Sequence, residues 1–313
     1  MTVTGADPDA RPAVVLTRTP ALAPLLARGA LRSPFKRPHP DAPFPRHRLV
    51  LPSVRVDQAR LAAYERVCGF PTGEDTLPIT YPHVLGFPLA MRLMSGGGFP
   101  LPLLGLVHTS ITLTRHTALP AAGTYALAVR VDGLAAHRRG TQATLITEVH
   151  AGTDLVWESA STYLARHRTH DPVPGRAKSA RDEPAGPARD QRAGPAPDAR
   201  APLPAVGQWR LPGDLGRRYG AASGDRNPIH LHPLSARVFG FPRAIAHGMW
   251  TVARCLAAHG TPEAAGVRAA FRAPVLLPGT LAYAADGAGR FEVRSADPTA
   301  RVHLVGEVRA PRG

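Results

Sequence analysis

Cysteine is nearly missing from this 313-residue chain: Cys68 and Cys255 occur far apart and outside any CxxC. That excludes a disulfide framework and a Cys-rich zinc site, and a reducing, cytoplasmic setting is the simpler expectation. Long apolar runs are missing as well. The early stretch AVVLTRTPALAPLLARGALRSPF is broken by Pro and Arg, so neither a signal peptide nor a membrane span is expected. Lysine is scarce: of 38 cationic side chains only Lys36 and Lys178 are not arginine. The net charge of +15 is spread along the chain. Without a focused basic patch or a recognisable module, no nucleic-acid partner is expected, whereas a phosphate-bearing cofactor or carrier would gain from the same field. GxGxxG, P-loop, HExxH and GxSxG patterns are also absent, which removes the usual marks of nucleotide-dependent redox chemistry, phosphoryl transfer, zinc hydrolysis and serine hydrolysis.

What is present divides the chain. Residues 166–200, RHRTHDPVPGRAKSARDEPAGPARDQRAGPAPDAR, hold almost no large apolar side chain and cannot repay the entropy of folding. A flexible linker is expected over 166–204. It separates an N-terminal body, 45–165, from a C-terminal body, 205–313, with an irregular Pro-rich leader over 1–44. Each body carries a helix candidate followed by runs of period-two alternation: TYPHVLGFPLAMRLMS and then GLVHTSITLTRHTALPAAGTYALAVRV, TQATLITEVHAG and TDLVWESASTYLARH in the first. The second offers HGMWTVARCLAAHG, then GVRAAFRAPVLLPGTLAYAADG, GRFEVRSA and ARVHLVGEVRA. Both place a Leu-Pro turn after the first strand, at Leu119–Pro120 and Leu277–Pro278. An internal duplication is therefore expected. Each half would be an α+β unit whose antiparallel sheet is covered by one helix, and the two would join edge to edge. Two unrelated α+β domains are the alternative.

The densest chemistry lies in Tyr219–Gly260, YGAASGDRNPIHLHPLSARVFGFPRAIAHGMWTVARCLAAHG. Asp225 and Asn227 sit in a polar turn that Gly224 frees and Pro228 fixes, with His230 five residues beyond Asp225. That spacing suits no single helical face, but a turn can bring both side chains over one pocket as an acid/base pair. A cap-and-turn role for Asp225 and an ordinary half-buried His230 are the plain alternatives. Ile245, Met249, Val252 and Leu256 mark the apolar face of a helix whose first turn holds Gly248. An N–H there has no partner within the helix and lies at its electropositive end, so it suits a developing oxyanion on a carbonyl compound. A packing glycine is the alternative. Asp225, His230, His232 and His247 are chemically able to bind zinc, but their spacing matches no zinc motif and no metal is expected.

YGAASGDRNPIHLHP followed by FGFPRAIAHGMW resembles the two-part signature of the MaoC-like, or hydratase 2, family of (R)-specific enoyl-thioester hydratases and 3-hydroxyacyl-thioester dehydratases. The signature spans about forty residues. The whole chain resembles the double-hotdog dehydratases, in which a sheet wraps a central helix twice and one chain forms a pseudo-dimer. The resemblance implies reversible dehydration of (R)-3-hydroxyacyl thioesters to trans-2-enoyl thioesters, with coenzyme A or acyl carrier protein as substrate carrier and no cofactor or metal. It implies catalytic roles for Asp225, His230 and Gly248, and supporting roles for Asn227, Ser223, Tyr219 and His247. Asp225 is the candidate acceptor of the C2 proton and His230 the candidate donor to the departing hydroxyl, with the opposite apportioning, or joint activation of one water, left open. Because the N-terminal body has no GDxNPxH, one site per chain is expected, with that body kept as sheet partner and acyl-pocket wall. Its HVLGFPLAMRLMSGGGFPLPLLGL stretch suggests medium or long acyl chains. A further homodimer is possible. The other readings are a non-catalytic thioester-binding or assembly subunit and a hotdog thioesterase.

Overall fold

The computed structural model describes residues 11–169 and 202–310. The linker expected over 166–204 therefore lies mostly outside the described residues. The N-terminal half comprises β2 (Arg48–Arg55), α2 (Gln58–Cys68), α3 (Tyr81–Met94), β3 (Val107–Arg115), β4 (Thr124–His137), β5 (Gly140–Ala151) and β6 (Asp154–Arg166). The C-terminal half comprises β7 (Ala205–Leu211), α4 (Leu215–Ser223), the short α5 (Pro228–Leu231) and α6 (Pro233–Val238), α7 (Gly248–His259), β8 (Ala265–Phe271), β9 (Gly279–Ala285), β10 (Arg290–Ser295) and β11 (Val302–Arg309). The strands β3–β6 and β8–β11 form where alternation predicts them, whereas β2 and β7, ahead of the helices, were not expected. Tyr125, Leu127, Val129 and Val131 turn inward along β4, and Ala265, Val267 and Ala269 along β8. Two helices stop at left-handed glycines, α2 at Gly69 (φ 81°) and α4 at Gly224 (φ 84°).

The strand order within the first half is β2-β4-β5-β6-β3, and within the second β7-β9-β10-β11-β8. These are the same order, entered from opposite edges of one continuous sheet. The halves meet where β3 pairs antiparallel with β8, from Ser110 opposite Ala270 to Arg115 opposite Ala265. Each half wraps one buried helix, α3 or α7, and the result is the double hotdog expected from the sequence. The halves are also tied below the sheet. Arg60 Nε and Nη2 donate to the Ala222 and Ser223 carbonyls at 2.8 and 2.7 Å. The Trp250 indole N–H donates to Val67 O at 2.8 Å. Arg115, at the end of the seam, donates to the carbonyls of Glu263 and Pro262 at 2.7 and 2.6 Å. Arg115 is buried, and these carbonyls satisfy guanidinium donors that would otherwise lack partners.

One expectation is corrected. The leader over 1–44 is not irregular throughout: β1 (Ala13–Val15) adds a parallel strand beside β2, and α1 (Leu22–Arg32) continues into a single 3-10 turn, Ser33–Phe35. Packing supplies what the Pro-rich sequence does not advertise. Leu25 and Gly29 are buried, and the Lys36 ammonium donates to Gly96 O and Gly97 O at 2.8 and 3.0 Å, capping the loop after α3. The described residues contain no helix long and apolar enough to cross a membrane.

Candidate active site

The polar turn after α4 is built by short side chains bonding their own backbone. Ser223 Oγ accepts from the Asp225 N–H at 3.2 Å, and an Asp225 carboxylate oxygen accepts from the Asn227 N–H at 3.2 Å. Asn227 Oδ1 then caps α5 by accepting from Ile229 N–H at 3.4 Å. With Pro228 in its first turn, α5 is a single turn, and it lifts His230 back toward Asp225. This resolves the awkward five-residue spacing. The close approach of this turn to α4 depends on Gly216, where a Cβ would stand 1.9 Å from the His230 carbonyl oxygen. Asn227 shapes the turn through its N–H to Asp225 and its Oδ1 to the Ile229 N–H.

The His230 Nδ1 lies 2.8 Å from Ile245 O, an acceptor, which puts the proton on Nδ1 and leaves the Nε2 lone pair free. His247 is the N-cap of α7 and its Nε2 lies 2.9 Å from the Asp225 carbonyl, so Nε2 carries the proton and Nδ1, buried, has no partner. The two imidazoles stack with centroids 3.7 Å apart and planes 26° apart, and Tyr219 packs on His247 at 4.7 Å. His230 and His247 are 8% and 2% exposed, while the Asp225 side chain keeps 31%, opening into the cavity it lines. Burial raises the Asp225 pKa against the pull of His230, and lowers that of His230 against the pull of Asp225. Burial, with His230 adding to it, also holds His247 well below the usual imidazole range. The affinities of Asp225 and His230 for a proton are thus driven toward each other, which suits a pair that trades one proton.

Gly248 opens α7, so its N–H has no acceptor within the helix. A Cβ there would lie 2.8 Å from Phe271 Cε1, so glycine lets the aromatic ring close over the helix start. The matching helix start in the other half is shut: the Tyr81 N–H is taken by Pro78 O at 2.8 Å, and Pro82 has no N–H to offer. One cavity of about 560 Å³ is lined by Asp225, His230, His247, Gly248, Tyr219, Ser223 and Asn227 together. His232 stands apart as the N-cap of α6, its Nδ1 accepting from Leu234 N–H at 3.2 Å. Asp225, His230 and His247 bring one potential ligand atom each within 4.8 Å of one another. The in-plane lone pairs of rings stacked so nearly parallel do not converge on one tetrahedral ion, and the cluster fits proton transfer better than metal binding.

Sequence reasoning did not find His83, His108, Tyr163 or His303, which line the same cavity. They belong to no motif; the available signal was a polar ring within otherwise apolar helix or strand patterns.

Residues 192–303 match the MaoC like domain family. The chain is 35% identical over 253 residues to 3-hydroxyacyl-thioester dehydratase X of Mycobacterium tuberculosis, covering 80% of this chain and 84% of that one. The crystal structure of HtdX from the same organism superposes with a TM-score of 0.69 at 31% identity, covering 84% of this chain and 100% of that one. A MaoC-like dehydratase from Phytophthora capsici shares the fold, with a TM-score of 0.65 at 18% identity over 87% of this chain and 96% of its own.

Proposed function

The chain belongs to the MaoC-like dehydratase family, and on that footing we propose that it interconverts (R)-3-hydroxyacyl thioesters and trans-2-enoyl thioesters plus water at one site built from Asp225, His230 and the Gly248 N–H. The similarity to a 3-hydroxyacyl-thioester dehydratase supports the reaction class. The observation that carries the reading is the convergence of an acid/base pair and an unpaired helix-start N–H on one cavity.

In dehydration the C2–H and C3–O bonds break, C2=C3 forms, and the proton and hydroxyl leave as water. As the C2 proton departs, negative charge moves to the thioester oxygen. The Gly248 N–H, at the positive end of α7, stabilises that charge more than it does the ground-state carbonyl. Asp225 and His230 hold one proton between them. Burial pushes the pair toward the uncharged arrangement, and on that direction we assign His230 Nε2 as acceptor of the C2 proton and the Asp225 carboxylic acid as donor to the leaving hydroxyl. This is the apportioning opposite to the one favoured on sequence. His247 orients Asp225 through its carbonyl.

The cavity also speaks to the substrate. Val84, Phe87, Met91 and Met94 present one face of α3, continued by Leu26 and Leu103, which suits a medium or long acyl chain. Four exposed arginines, Arg138, Arg139, Arg166 and Arg272, reach the same cavity, and Asp225 is the one carboxylate among its lining residues. Such a rim favours a phosphate-bearing carrier, coenzyme A or acyl carrier protein.

The test is hydration of crotonyl-CoA and of longer enoyl-CoA thioesters, followed by loss of enoyl absorbance, with chiral analysis of the product. Asp225→Asn and His230→Ala lose roughly 10²–10⁴-fold in rate while staying folded. Wild-type turnover by both variants would refute the assignment, and a clear C4 preference across C4–C16 would refute the chain-length reading.

A further inference from the structure

The apolar groove along α3 starts with a polar group of rings that the dehydration chemistry does not use. His83 lies one turn before Phe87 on the groove-lining face of α3. Its ring stacks at 6.1 Å and 13° on His108 of β3, which stacks in turn at 4.5 Å and 18° on Tyr163 of β6. His108 also packs at 4.9 Å on Phe271, the ring that covers Gly248. The row therefore runs from the oxyanion end of the cavity to the mouth of the acyl groove. Tyr163 is close enough to Asp225 for that carboxylate to hold its phenol further from ionisation, beyond the larger effect of burial.

These imidazoles are poorly served by the protein. No described residue hydrogen-bonds the His83 ring: its Nδ1, like His108 Nε2, is buried without a partner, while its Nε2 is left open where the residue lines the cavity. Burial lowers their pKa values to about 4 and about 3, so both rings are neutral near pH 7 and each carries one donor and one acceptor. A purely aliphatic acyl chain filling the groove would strip water from the open His83 nitrogen and leave it unpartnered, which is costly. Leucine or phenylalanine would line such a groove better. A chain bearing an oxygen at this point would supply the missing partner.

Resting on the dehydratase reading, we propose that His83, His108 and Tyr163 form a polar subsite that receives a second oxygen-bearing group, a hydroxyl or keto group a few carbons beyond C3, so that the preferred substrates are 3-hydroxyacyl thioesters oxygenated further along the chain. No bond is made or broken there; the subsite sorts substrates by matching a hydrogen bond against an unmatched one.

The experiment measures kcat/KM for hydration of 2-octenoyl-CoA and of its 5-hydroxy, 5-keto, 7-hydroxy and 7-keto derivatives by the full-length protein. At least one oxygenated substrate should exceed the plain one by tenfold or more. In His83→Leu and His108→Leu that ratio should fall below threefold, whatever happens to the rate on the plain substrate. Should either variant fail to fold, the wild-type ratio alone decides. Turnover of the plain substrate with no oxygenated derivative favoured overturns the subsite and leaves the dehydratase reading standing. Persistence of the preference in both folded variants also overturns it. Failure to hydrate any member of the panel overturns the dehydratase reading instead.

Discussion

Replacing Gly248 by proline and by alanine isolates the N–H assigned to the oxyanion. Both substitutions add a Cβ that would stand 2.8 Å from Phe271 Cε1 and 3.1 Å from Cδ1 and Cζ, so both force the ring to give way. Overpacking of this kind costs ~1–3 kcal/mol, offset in part by the better helix propensity of alanine, up to about 1 kcal/mol. Proline alone removes the donor. The helix should accept it, because first-turn N–H groups have no intrahelical partner, and α3 already carries Pro82 in its own first turn. His247, at φ −66° and ψ 136°, already has the backbone conformation that a residue before proline adopts. The two variants should therefore melt within a few degrees of each other, while kcat for enoyl-CoA hydration is roughly 10²–10³-fold lower in Gly248→Pro than in Gly248→Ala, the usual loss for one oxyanion donor. Adding Phe271→Leu should restore part of the alanine variant's rate and none of the proline variant's. Equal kcat in the two folded single variants would remove Gly248 N–H from the mechanism.

Charge reversal at the rim, Arg138→Glu with Arg139→Glu, should raise KM for a CoA thioester about tenfold with little change in kcat, and the effect should shrink as salt is added. A pantetheine thioester lacking the nucleotide phosphates should respond much less. Stability should fall on acidification. His83 and His108 bind protons less readily folded, with pKa values of about 4 and about 3, than unfolded, near 6.5. Between pH 6.5 and 4 the unfolded chain thus takes up protons that the folded chain refuses, and unfolding is favoured as pH drops; above 6.5 the penalty vanishes. Urea midpoints at pH 7 and pH 5 should show this, with the difference reduced in a variant carrying His83→Leu and His108→Leu.

The duplication was readable because two signals repeat: an inward-facing alternation in the strands and a Leu-Pro turn after the first strand that follows the central helix of each half. The meeting of Asp225, His230 and Gly248 on one cavity was readable because GDRNPIH and AHGM are local, and the turn closes through neighbouring backbone groups such as the Asn227–Asp225 and Ile229–Asn227 bonds. What escaped depends on distance in sequence. His83, His108 and Tyr163 meet across α3, β3 and β6, and no spacing records that. The leader helix escaped because its order comes from Leu103, against which Gly29 packs, and from Lys36 reaching carbonyls some sixty residues away. The direction in which burial pushes the Asp225–His230 pair was equally beyond the sequence.

The β3–β8 seam has a consequence for how this protein can change over generations. In a dimer of identical single hotdogs every substitution appears twice, so a residue that reshapes the groove at one end must also be tolerated beside the chemistry at the other. Once both copies lie on one chain, that obligation ends. Tyr81 and Pro82 can occupy one helix start while His247 and Gly248 occupy the other, and each half answers to its own selection.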